Sequence, residues 1–286
     1  MDVSVIVPTY NVAREIEDQL AALAQQRYDG TWEIVVSDNG STDATVALVR
    51  SWADRLPNLT VVDSSARRGA SHARNVGAEA ATGDLLVFCD ADDVASQDWL
   101  QEMVGAAADA DLVGGALDHE LLNRPEAQAW RGCTGQSNTP PPLGFLPFAL
   151  SGNLAVRAEV WRALGGFRTD YHHCEDVDFS WRAQLSGYRL AHAPSAVIHY
   201  RHRKSLWALA WQVYNYGRAE ACLYRQYRDH GARRRGARQL ARSYLYPVIR
   251  APYVAMSRRH RGLWLVVASE NCGRIVGSVQ ERVICP

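Results

Sequence analysis

A doubly wound, mostly parallel α/β sheet with a helical extension at its C-terminal end is the architecture this sequence predicts. Three observations carry it. Short β-branched apolar runs alternate with helix-spaced segments through the N-terminal third, the pattern of parallel strands joined by crossover helices. Polar loops follow three of those runs, on the strand ends where such sheets bind ligands. Beyond residue 202 the composition turns basic and aromatic, and Trp207, Trp211 and Tyr214 fall on one helix face.

The elements follow in order. Val3-Ser4-Val5-Ile6-Val7 is a buried strand stopped by Pro8. Ile16, Leu20 and Leu23 predict an amphipathic helix over 13–26. Glu33 to Val36 is a second strand, running into the loop Ser37-Asp38-Asn39-Gly40-Ser41. Thr42 or Asp43 then caps a helix reaching about Ala53. Residues 59–62 form a third strand, the Ala-rich 69–81 a helix, and 84–88 a fourth strand ending in Asp90-Ala91-Asp92-Asp93. The loops at 8–11, 37–41 and 89–93 therefore converge on one edge of the sheet. Later, 139–144 reads as a stiff proline loop, 153–156 as a strand, 158–164 as a short helix and 176–185 as a longer one. His199 ends a further strand.

Composition narrows the class. The chain of 286 residues, 47% hydrophobic and 22% charged, is that of an ordinary globular protein. Six scattered cysteines without finger spacing predict reduced thiols. The first strand begins almost at Met1, leaving no room for a signal peptide, and the longest apolar run near the C-terminus, 263–268, is too short to cross a bilayer. A cytoplasmic protein is expected. The zero net charge hides a split. Residues 1–200 hold 14 Arg, no Lys and 27 acids, a net −13; residues 201–286 hold 17 basic residues and 4 acids, a net +13. Such a tail suits an anionic surface, or else folds against the acidic body.

Two acidic clusters invite chemistry. Asp90, Asp92 and Asp93 repel one another unless a cation sits between them, and oxygen ligands alone suit Mg²⁺ or Mn²⁺. The bland alternative is a solvated turn. Glu175-Asp176-Val177-Asp178 opens a helix, where acids are favoured by the dipole alone; the functional alternative is a general base.

Taken in order, these blocks resemble glycosyltransferase family 2, the inverting GT-A enzymes, over about residues 2–202. The matching residues are 3–11, 35–43, Gly69 to Gly77, Thr82-Gly83-Asp84, Phe88 to Asp93, Gly152 to Arg157, Gly165-Gly166-Phe167 and Glu175 to Phe179. The resemblance implies a GT-A catalytic domain at 1–202 and a separate extension at 203–286. It implies a nucleotide-diphosphate sugar as donor, with Pro8, Thr9 and Tyr10 lining the nucleobase pocket and Asp38 accepting from the base. Arg74 would sit near the base or diphosphate, Asp90-Ala91-Asp92 at the metal and diphosphate, and Asp90 would approach the ribose or the metal. Asp92 and Asp90 would hold the metal, with His199 as third ligand and His202 the alternative. Asp176 would be the base, with Glu175 beside it.

A glycan or lipid-linked acceptor of polysaccharide or cell-envelope synthesis is implied as partner. The Trp face and the arginines of 203–286 suit a peripheral attachment to the inner face of the cell membrane. Pro247 and Pro252 are expected to break any long helix there. Two rivals remain: a sugar nucleotidyltransferase, which would carry a Gly-rich basic stretch where Pro8-Thr9-Tyr10-Asn11 stands, and an inactive donor-binding homologue. Nucleic acid is not expected as a partner, because the body is acidic and no nucleic-acid motif is present.

Overall fold

A computed structural model describes residues 1–131, 142–171, 173–255 and 257–285. The chain divides into two compact units. One comprises 1–118, 148–170 and 175–200; the other comprises 119–147, 171–174 and 201–286.

The first unit is the sheet. Its strands are β1 (Val3–Thr9), β2 (Trp32–Asp38), β3 (Leu59–Asp63), β4 (Leu85–Cys89), β5 (Val94–Ala95), β6 (Leu112–Asp118), β7 (Asn153–Arg157) and β8 (Leu190–His199), in the spatial order β3-β2-β1-β4-β7-β6-β8-β5. The block β3-β2-β1-β4 is parallel. The sheet then turns mixed: β7 runs antiparallel to both β4 and β6, β8 parallel to β6, and the two-residue β5 antiparallel to β8.

The period-2 alternation of β1 builds both layers. Val3, Val5 and Val7 join Ile16, Leu20 and Leu23 of α1 (Ile16–Leu23), Val49 of α2 (Thr45–Ser51), and Trp99, Leu100 and Met103 of α4 (Trp99–Ala106). Ile6 faces the other layer. There it meets Ala78 of α3 (Ala70–Ala80), Trp161 of α6 (Ala158–Leu164), Phe179 of α7 (Glu175–Leu185) and Phe167. Trp161, Phe167 and Phe179 pack at centroid distances of 4.8–5.2 Å, in edge-on and tilted arrangements that aromatic quadrupoles favour.

The predicted strands and helices of the N-terminal third appear within a few residues of their expected bounds. The proline loop falls largely outside the described residues; its end, Pro142–Gly144, is a 3₁₀ turn.

The second unit is helical: α5 (Pro125–Arg131), α8 (Leu206–Tyr227), α9 (Ala237–Arg250) and α10 (Arg258–Gln280). Helices α8 and α10 approach so closely that a Cβ on Gly217 would lie 2.2 Å from the Glu270 carbonyl oxygen, and one on Gly273 2.0 Å from that of Tyr214. Only glycine fits there. An ion pair crosses the same helix pair, Glu220 accepting from Arg274 at 2.7 Å, and Glu220 also accepts from Arg235, ahead of α9, at 3.2 Å.

The expectation that Pro247 breaks the helix is corrected, since α9 runs through it. A proline removes the hydrogen bond to the carbonyl four residues back, here that of Ser243. The Asn271 side-chain amide donates to that carbonyl at 2.9 Å instead, and Trp264 Nε1 donates to the Pro247 carbonyl at 2.7 Å.

Candidate active site

The three loops at the C-terminal ends of β1, β2 and β4 do converge, and side chains stitch the first two together. Asn11, at φ +51°, accepts through Oδ1 from the Thr42 amide at 2.8 Å. Asp43 accepts from the Ala13 amide, and Thr45 Oγ1 from the Val12 amide. Asp38 accepts at Oδ1 from Thr9 Oγ1 (3.2 Å) and Ser41 Oγ (2.5 Å), and at Oδ2 from the Gly40 and Ser41 amides (3.1 and 2.9 Å). A carboxylate offers about four acceptor sites. Asp38 thus shapes the loop, and a contact to a nucleobase would share or displace one of these donors.

Tyr10 projects from the first loop with half its surface exposed, and the Arg68 guanidinium lies 4.3 Å over its ring. Arg68 is anchored by donating to the Asn39 carbonyl at 2.8 Å. Sequence reasoning missed this residue. One signal could have found it: an Arg pair, Arg67-Arg68, directly precedes the glycine that opens α3.

The acidic end of β4 is the centre of the unit. One carboxylate oxygen each from Asp90, Asp92 and Asp93 lies within 4.8 Å of the others, a spacing that one hard cation can bridge. The oxygen donor set therefore fits Mg²⁺ or Mn²⁺. Two features hold the cluster in place. Gln19, fully buried, donates to the Asp90 carbonyl at 3.1 Å and accepts from the Ala95 amide at 2.9 Å, bracketing the turn. Gly152 presses its backbone on the Asp90 carboxylate, so that a Cβ there would stand 2.8 Å from Oδ2. Asn153, next along, is buried and fully engaged. It accepts from Trp99 Nε1 at 2.8 Å and donates to the Ala116 and Ala196 carbonyls.

His199 lies beside this cluster without being part of the carboxylate triad: it pairs with Val94 across β5 and β8. Its Nδ1 is 2.6 Å from Asp118 Oδ2. Such a carboxylate fixes the ring and leaves Nε2 as the nitrogen directed away from it. His202 belongs to the other unit, where its ring stacks on His119 at 5.0 Å.

Arg74 joins the two acidic clusters. Its side chain is buried and donates to Asp90 Oδ1 at 2.6 Å and to Glu175 Oε1 at 3.1 Å. Asp176, the next residue on the first turn of α7, accepts from the Ser151 amide at 3.2 Å and from its neighbour Val177 at 2.8 Å. Burial and the charge of Asp176 push the Glu175 carboxyl up to about 7. Burial raises Asp176 as well, against those amide donors and Arg74, which hold it down. The site thus sets a metal-fitting acidic turn and a pair of proton-accepting carboxylates on opposite sides of one arginine.

The family model described as Glycosyl transferase family 2 matches residues 4–158, and a second, Glycosyl transferase family group 2, matches 142–269. The chain belongs to glycosyl transferase family 2 and carries a glycosyltransferase domain of GT-A fold. Among its relatives, glycosyltransferase AglE of Haloferax volcanii is 31% identical over 68% of this chain and 65% of its own. Succinoglycan biosynthesis protein ExoA of Rhizobium meliloti is 27% identical over 76% and 68%. This chain thus spans just under two thirds of AglE. Among solved structures, the mannosyltransferase PcManGT of Pyrobaculum calidifontis, in complex with GDP-Man and Mn²⁺, superposes with a TM-score of 0.62 at 27% identity. That alignment covers 98% of this chain and 77% of PcManGT. S. aureus TarS with UDP-GlcNAc shares the fold, at a TM-score of 0.59 and 18% identity, over 99% and 93% of the two chains.

Proposed function

We propose that the chain is a metal-dependent, inverting glycosyltransferase that moves a sugar from a nucleotide-diphosphate sugar to a hydroxyl of a glycan or lipid-linked acceptor. The observation that carries this reading is the Arg74 bridge, which ties the Asp90-Ala91-Asp92 turn to the Glu175-Asp176 pair within one unit. PcManGT, captured with GDP-Man and Mn²⁺, supports a nucleotide-sugar donor and a divalent ion.

Asp92 and Asp90 would hold Mg²⁺ or Mn²⁺, with His199 Nε2 completing the set. That cation supplies neutralisation of the leaving diphosphate. Pro8, Thr9 and Tyr10 would form the nucleobase pocket, and the Tyr10 ring, backed by Arg68, would stack on the base. Arg74, through Asp90, orients the donor side. Asp176 takes the proton of the acceptor hydroxyl as its oxygen bonds to the anomeric carbon, while the bond from that carbon to the diphosphate oxygen breaks on the opposite face. The configuration inverts in one displacement. The basic residues 203–286 would hold the catalytic domain, residues 1–202, at an anionic membrane face, where a lipid-linked acceptor is presented.

A thermal-shift panel of UDP-, GDP- and dTDP-sugars, with and without Mn²⁺ or Mg²⁺, tests the reading. One nucleotide should raise the melting temperature only with metal, and Asp92→Ala should abolish that shift. A metal-independent shift, or an unchanged response in Asp92→Ala, overturns it.

A further inference from the structure

Helix α9 turns a mixed face inward and leaves aliphatic side chains outside. Its half-buried side carries Leu240, Ser243, Tyr244 and Pro247, where Ser243 Oγ donates to Asn271 Oδ1 at 2.7 Å and Asn271 returns an amide bond to the Ser243 carbonyl. Its outer side carries an aliphatic ridge. Leu245, Val248 and Ile249 are 53, 69 and 62% exposed, and none of the fourteen residues of α9 is buried. Residues 245, 248 and 249 are neighbours on one helical face, and Arg238 and Arg242, both exposed, precede Leu245 by two turns and one turn on that same side.

The charge of the surrounding segment says what covers this face. Residues 231–269 contain nine arginines and no Asp or Glu. Arg235 is taken up by Glu220. Guanidinium groups along an aliphatic ridge match a surface that is anionic at its boundary and hydrocarbon just beneath. Nucleic acid would satisfy the arginines and leave the ridge in water. No helix among the described residues is long and apolar enough to cross a membrane.

We propose that α9 lies flat on an anionic lipid bilayer, with Leu245, Val248 and Ile249 in the acyl boundary and Arg238 and Arg242 among the headgroups. This deepens the reading of the enzyme as membrane-attached, and it assigns the contact to α9 rather than to the exposed Trp207 and Trp211 of α8.

Flotation of the full chain with phosphatidylcholine vesicles, with and without phosphatidylglycerol, tests it. Wild type should float with the anionic vesicles and stay behind with the neutral ones. Leu245→Ser, Val248→Ser and Ile249→Ser combined should cut flotation by about tenfold or more, as should Arg238→Glu with Arg242→Glu. Trp207→Ser with Trp211→Ser should float as wild type does. All these residues are exposed, and an unchanged donor-induced thermal shift verifies folding in each variant. Flotation of the α9 variants at the wild-type level overturns the proposal, as does loss confined to the Trp variant, equal flotation on neutral vesicles or no flotation of wild type. Donor binding is read separately, so failure here is distinct from failure of the transferase reading.

Discussion

Each unit buries an ion cluster, one balanced in charge and the other not. In the helical unit, Glu220 and Glu270 face Arg274 and Arg235, two acids to two bases, and Asn271 Oδ1 accepts a further Arg274 donor at 3.0 Å. In the sheet unit, the single buried Arg74 faces Asp90 and Glu175 directly and feels Asp176 as well, three carboxylates to one guanidinium. The first cluster is closed and needs nothing more from a ligand. The second is left negative, and burial, joined at Glu175 by the charge of Asp176, raises the Glu175 and Asp176 carboxyls. A balanced buried cluster organises a helix pair; an unbalanced one is ready to take a cation and a proton.

Breaking the closed cluster should show the larger effect on stability. Arg274→Ala leaves the buried Glu220 with only Arg235 and removes the partner of Glu270. Losing one member of a buried pair costs about 3–5 kcal/mol, to be read from urea unfolding of the full chain. A loss well below that range would mean that Arg235 and water compensate, and the contrast between the units would weaken.

The open cluster should reveal itself in pH dependence. Glu175 and Asp176 both sit above their unfolded-state values, so ionising them in the fold is unfavourable. Their contribution to stability therefore declines as pH rises from the ordinary carboxylate range to about 7, and recovers as pH falls back through that window. Activity runs the other way, because a base must be ionised: kcat/KM should fall on the acid side, with a limb that the burial of Asp176 sets above the ordinary carboxylate range. Glu175→Gln removes the neighbouring negative charge and should move that acid limb to lower pH. An unmoved limb would show that the two carboxyls do not communicate.

Much of the sheet unit was legible from sequence because its signals are local. The β-branched run of β1 and the carboxylates after β4 declare themselves within a few residues. Strand β6 did not, since Gly114-Gly115 interrupts its apolar pattern, and β5 is only two residues long. At the site, residue types were readable and partnerships were not. Arg74 meets Glu175 across 101 positions, and His199 meets Asp118 across 81. Neither pairing leaves a mark on spacing. The same limit explains α9. Pro247 reads as a breaker until Asn271, distant in sequence, is seen to take up the freed Ser243 carbonyl.

The central claim is a division of labour: the Asp90-Ala91-Asp92 turn holds the leaving group, and Asp176 moves the proton. Asp176→Asn tests it most directly when donor binding and turnover are measured on one preparation with Mn²⁺ present. The account predicts a kcat lower by about 10²–10⁴-fold, with donor affinity held at the wild-type value. Full turnover in that variant, or loss of donor binding in step with turnover, would contradict it.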